Sequence, residues 1–223
     1  MPSKSYTQFQ KNLETVNRLE ETYYEIKKQK HNKGGRGAFD HITRSAVIFL
    51  ISAFEVYCES LICEVAGCLA KEAKDAKNLP HDVRATICDY TRNEKNGTSP
   101  LELCDEGWRT VYKSIVEQKT GALNTPKTDN LKALFKDLVG IKPKVIENIM
   151  QEKSGKNILD PIIVFRGEIT HKVTARHYVH IETVENCKEA ISRIVVEMEK
   201  KTCDYLKNQS MEKKQPWRKT YTK

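Results

Sequence analysis

The sequence predicts an all-α protein, an up-and-down helical bundle with two long helices and several short ones. Apolar residues recur at steps of three and four through most of the chain, the spacing that lines one face of an α-helix. Several such segments open or close on helix punctuation, Asp-Pro at a start and Gly at a stop. One β-branched run, Ile162-Ile-Val-Phe165, also reads as a strand, but no convincing second strand exists to pair with it.

The first helix covers residues 6–30, with Phe9, Leu13, Val16, Leu19, Tyr23 and Ile26 on one stripe. His31-Asn-Lys-Gly-Gly-Arg-Gly37 breaks it, because consecutive glycines favour no helical turn. A longer helix over residues 40–74 is apolar around most of its circumference from Ile42 to Leu61, as the central helix of a bundle must be. Leu79-Pro80 ends that region, and residues 81–100 hold one short helix before the Asn93-Glu-Lys-Asn-Gly97 turn. Periodicity resumes over residues 101–119 through Trp108, Val111, Tyr112 and Ile115. Asp129 is the expected N-cap of a helix that uses Leu131, Leu134, Phe135 and Leu138 and stops at Gly140. Residues 143–152 form another short helix. Asp160-Pro161 then pairs a capping carboxylate with Pro at the first helical position, so residues 162–165 are read as helix. Residues 181–207 form the last long helix.

Composition narrows the class. The chain has 223 residues, 39% hydrophobic and 30% charged, which suits one soluble domain with appendages. The longest apolar run, residues 46–54, is interrupted by Ser52 and stops at Glu55, short of the ~20 residues a membrane span needs. The N-terminus has no apolar core of signal-peptide type. Seven cysteines with no Cys-x-x-Cys pair point to reduced thiols in the cytoplasm rather than disulfides or structural zinc. The net charge of +8 is concentrated: residues 26–44 carry six Lys or Arg against Asp40, and residues 211–223 carry five against Glu212. Such patches hold phosphates or serve as solvated ends.

Phosphate-cradling Walker loops, dinucleotide fingerprints, His-Glu-x-x-His and Gly-x-Ser-x-Gly are all missing. What remains is Arg166-Gly-Glu-Ile-Thr-His171, on a capped helix beside an apolar wall. Arg36-Gly-Ala-Phe-Asp-His41 has the same spacing but straddles the glycine loop. Arg offers a planar fork of donors matched to phosphate oxygens, and His titrates near neutral pH and serves as base or acid. Five residues on a straight helix separate the two positions by about 140°. A helix ending near His171, or a two-fold dimer joining two motifs, resolves that geometry. Read alone, His171 equally suits a helix C-terminus, where its charge meets the dipole. Glu55, inside an apolar run, either enters a structural ion pair or orients Arg166; Glu168 either lines a cleft or is solvated. His171, His177, His180 and Glu182 match no metal site of specific spacing, so no metal or other cofactor is expected.

Phe165-Arg-Gly-Glu-Ile-Thr-His171, before a loop and a final long helix, resembles the Arg-x4-6-His motif of the HEPN superfamily. Arg44-Ser-Ala-Val-Ile-Phe-Leu-Ile-Ser-Ala-Phe-Glu-Val-Tyr57 is similar to the central helix of its RiboL-PSP-like branch. Asn124-Thr-Pro-Lys-Thr-Asp-Asn-Leu-Lys-Ala-Leu-Phe-Lys-Asp-Leu-Val-Gly140 is similar to that branch's middle segment. The resemblance implies a HEPN-type bundle over residues 40–207. It would be preceded by an N-terminal helix and basic loop over 1–39 and followed by a basic, disordered tail over 208–223. It implies a metal-independent endoribonuclease acting as a toxin or anti-phage, abortive-infection effector, with Arg166 and His171 catalytic and Glu55 and Glu168 supporting. Arg36, Arg44, Lys172, Arg176 and His177 are candidate RNA contacts. The implied partners are a second copy in a homodimer, the RNA substrate, and an antitoxin or other defence-system protein, with no membrane. In one respect the chain departs from the family: Gly167 stands where a polar residue, often Asn, Asp or His, follows the motif Arg. That departure suits the alternative of a catalytically silent adaptor or dimerisation module.

Overall fold

The helix whose sequence is apolar on most sides spans Asp40–Glu72 (α2) and is the axis of the bundle. The computed structural model describes residues 1–29, 38–93, 99–171, 178–210 and 212–218. Leu50, Phe54, Tyr57, Leu61 and Ile62 of α2 are shielded from solvent, and each such side chain contributes about 1.5–3 kcal/mol on burial. Past Glu55 the helix stays mostly apolar to Leu69, with Glu59 and Glu64 as its charges, beyond the interrupted run counted in the sequence. Among the described residues it is therefore the one helix long and apolar enough to cross a membrane, and over half of that stretch is buried inside the bundle.

Helix α1 (Lys4–Lys28) packs along α2 through Tyr6, Phe9, Leu13 and Val16, and the Phe9 and Tyr57 rings lie 5.6 Å apart. Its first turn is tied down at both ends of a polar relay. Ser3 Oγ accepts from the Tyr6 amide at 2.9 Å and donates to Glu199 Oε1 at 2.7 Å. Glu64 accepts the amides of Lys4 and Ser5 at 3.1 and 3.0 Å. Glu199 belongs to the last helix, α8 (Ile181–Gln209), which buries Val184, Ile191, Ile194, Val195 and Met198 at steps of three and four. With 25, 33 and 29 residues, α1, α2 and α8 give the bundle three long helices where periodicity suggested two.

The shorter helices are α3 (His81–Asn93), α4 (Gly107–Gly121), α5 (Thr128–Val139), α6 (Pro143–Ile149) and α7 (Leu159–His171). Trp108 and Ile115 of α4 and Leu131, Phe135 and Leu138 of α5 complete the core. Gly140 ends α5 at φ +75°, and a Cβ there would lie 2.5 Å from Pro80 Cβ, so both conformation and space demand glycine. Residues 162–165 are helical as expected, and among the described residues the extended pairing is a single bridge between Gln151 and Asn157. After α8 the chain turns back. Trp217 is buried, its carbonyl accepts from Cys203 Sγ, and the Arg218 amide donates to the Met1 carbonyl at 2.9 Å. The segment expected as a solvated end thus adds an indole to the core. All seven cysteines are free thiols.

Candidate active site

Helix α7 carries the Arg-His motif, and a polar junction of three side chains sets where it starts. Asn157 Oδ1 accepts the amides of Leu159 and Asp160, both at 2.9 Å, so Asn157 caps α7 and Asp160 lies in its first turn. The Asp160 carboxylate caps a different helix. Its Oδ1 accepts the Thr128 amide at 2.8 Å and the Thr128 hydroxyl at 2.9 Å, so Asp160 rather than Asp129 satisfies the start of α5. Asp129 instead holds Lys132 at 2.8 Å. Asn157 Nδ2 closes the junction by donating to Thr128 Oγ1 and Asp160 Oδ2. Buried Leu159, Ile163 and Ile169 press α7 onto the bundle, while Val164 on the opposite side is exposed.

Arg166 emerges half-buried between these faces. Its Nε is shielded from solvent and has no hydrogen-bond partner among the described residues. Leaving such a donor unsatisfied costs about 1–3 kcal/mol, and the residue before it in the helix offers only an apolar ring. Glu55 of α2 feels its charge: burial pushes the Glu55 carboxyl up from its ordinary value, and the Arg166 guanidinium pulls it part of the way back. The two make neither a hydrogen bond nor an ion pair within 4 Å. One turn along α2, Glu59 is pushed up by burial and by the Glu55 charge. The Cys58 thiol between them is raised well above its usual range, mainly by burial and then by Glu59 and Glu55. The Glu55 carboxyl therefore feels the guanidinium without meeting it in a hydrogen bond or ion pair, and Glu59 stands behind Glu55 on the same helix. Sequence reasoning missed Glu59, although its four-residue step from Glu55 puts both on one helical face.

Gly167 is helical, and a Cβ added there would meet nothing within 4 Å. Space beside Arg166 is open rather than filled by a neighbour that needs glycine. Glu168 is exposed on the same helix. His171 is the last residue of α7; its side chain lies outside the described residues, as do Arg36, Lys172, Arg176 and His177. Of the candidate RNA contacts Arg44 alone is described, and its guanidinium pairs with Asp40 in the first turn of α2. Asp40 Oδ1 also accepts the Val179 amide at 2.7 Å. This clamp brings the chain between α7 and α8 back to the start of α2. Among the described residues no three His, Cys, Asp or Glu side chains group as metal ligands; two of the four in the His-Glu set fall outside them.

Three large apolar side chains of α2 and α7 are exposed among the described residues. Phe49 and Val56 of α2 are 50% and 43% exposed, and Val164 of α7 is 50% exposed. The RiboL-PSP-HEPN family model matches residues 7–204, from the first helix to near the end of the last. Comparison with curated proteins and with solved structures returned no match.

Proposed function

We propose that this chain, which belongs to the RiboL-PSP-HEPN family, is a metal-independent endoribonuclease that cleaves RNA through its own 2′-hydroxyl. The observation that carries the reading is the buried, unpartnered Nε of Arg166 on the helix that ends at His171. A guanidinium near the Glu55 carboxyl but not in contact with it keeps its donor fork for an anion. A phosphate oxygen is the group that fits it best. In this reading His171 takes the proton from the 2′-hydroxyl, whose oxygen attacks phosphorus. Arg166 stabilises the charge on the phosphorane, and a protonated His171 returns a proton to the departing 5′-oxygen. Glu55 sets the Arg166 side chain in place from α2, and Glu168 lines the cleft. Arg44 acts by holding Asp40, while Arg36, Lys172, Arg176 and His177 meet the RNA backbone.

Positions 166 and 171 lie about 140° apart on an uninterrupted helix, so one copy presents them poorly to a single phosphate. A homodimer formed through this face would bring two motifs to one groove, and Phe49, Val56 and Val164 are exposed apolar side chains that it could bury. The setting is cytoplasmic, where the seven thiols stay reduced. The biological role is that of a toxin or anti-phage effector, restrained by an antitoxin or another defence-system protein. A second reading, a silent adaptor using the same bundle for assembly, is favoured by Gly167, which leaves Arg166 without the polar neighbour usual in the family.

Incubation with RNA in the presence of chelator decides between them. The enzyme reading predicts fragments ending in a 2′,3′-cyclic phosphate, no cleavage of DNA, and severe loss in Arg166→Lys, whose ammonium keeps the charge but lacks the fork. Intact RNA with wild-type protein would leave the adaptor.

A further inference from the structure

The end of the bundle where α1 finishes and α2 and α8 begin is braced more heavily than packing requires. Tyr23 of α1 meets Phe39, just before α2, edge-on at 5.9 Å and meets Tyr24 edge-on at 5.5 Å. The Tyr24 hydroxyl donates to Glu185 of α8 at 2.7 Å. Asp40, held by Arg44, accepts the Val179 amide, and Val179 and Ile181 are buried. This frame ties down Val179 just before α8, and the residue that precedes it, Tyr178, faces solvent. That ring is 49% exposed, and its hydroxyl has no partner among the described residues. His41 and His180, the neighbours in sequence of Asp40 and Val179, are exposed beside the clamp.

We propose that Tyr178 is a nucleobase-stacking subsite for single-stranded RNA, set apart from the Arg166 centre; the proposal rests on the nuclease reading. A rigidly mounted, solvent-facing ring is the platform on which unpaired bases stack, and stacking tolerates any base because every base has a π-face. Asp40 lies about 22 Å from Glu55 along the axis of α2, at a rise of 1.5 Å per residue. A few nucleotides of extended strand span that distance. A base on Tyr178 would therefore anchor the strand while its scissile phosphate rests at Arg166. Duplex RNA keeps its base faces stacked on one another, so this subsite selects for single strands.

The test is fluorescence anisotropy with a short labelled single-stranded RNA, 2′-O-methylated throughout so that it cannot be cut, alongside cleavage kinetics on the unmodified strand. Tyr178→Ala should weaken binding about 5- to 100-fold, the loss of one base stack. It should raise KM by a similar factor, with the effect on kcat much smaller. Tyr178→Phe, which keeps the ring, should bind within about twofold of wild type. Binding to the corresponding duplex should not change in either variant. Wild-type binding and cleavage matched by Tyr178→Ala would remove the subsite and leave the nuclease reading standing. Wild-type protein that neither binds nor cuts the RNA would remove both.

Discussion

Glu199 is fully buried in α8, its Oε1 accepting from Ser3 and, at 3.0 Å, from the Tyr57 hydroxyl, while Oε2 has no partner. Burial pushes its carboxyl up to about 7 against the opposing pull of the Ser3 and Tyr57 hydrogen bonds, with the Glu64 charge adding to the rise. In the unfolded chain the same group titrates near 4.5. The folded state therefore holds a proton that the unfolded state has released between those two pH values. Stability from this group is fully present below about 4.5, falls as pH rises to about 7, and changes no further above it. At 1.36 kcal/mol per pH unit the whole effect is about 3 kcal/mol. Glu199→Gln keeps an acceptor for Ser3 and Tyr57 and cannot ionise. In urea unfolding it should be more stable than wild type by about 2–3 kcal/mol at pH 8, and the gap should shrink below about 1 kcal/mol near pH 5. For a chain of this length that is a gain of roughly 4–12 °C in Tm at the higher pH. A difference between the two proteins that does not vary with pH would refute the reasoning, since it would mean Glu199 is ionised in the fold throughout.

Gly167→Ala places a methyl group where nothing lies within 4 Å; it should stabilise the protein by about 0.5–1 kcal/mol in thermal unfolding through the helical preference of Ala. Loss of stability would mean the position is closed by a neighbour. Mixing an Arg166→Ala chain with a His171→Ala chain should give activity different from the average of the two homodimers if the groove is composite. A dilute monomer with full activity would end the dimer model.

Much of the bundle was legible because helix periodicity and end signals are local. Gly140 stops α5 where expected, and the β-branched run at 162–165 is helix because no partner strand exists. The caps were less legible. Asp129 and Asp160 each have the residue type of an N-cap, yet Asp160 caps α5 across 32 positions and Asn157 takes over α7. A residue's capping ability is written in its chemistry, but which helix it serves is decided by tertiary approach. The weight of α1 was also hidden: its stripe was visible, but its attachment runs through Glu199 and Glu64, far away in sequence. At the site, Arg166 and Glu55 were legible as an odd charge and an odd carboxyl in apolar surroundings. Their lack of direct contact depends on how α7 lies on α2, which the sequence does not state.

Single-turnover cleavage of RNA by wild type and by His171→Ala, with helical content matched by circular dichroism, bears most directly on the central claim. Loss of a general acid–base group predicts a fall of about 100- to 10,000-fold in the cleavage rate. A folded His171→Ala protein that cuts RNA at the wild-type rate would contradict it.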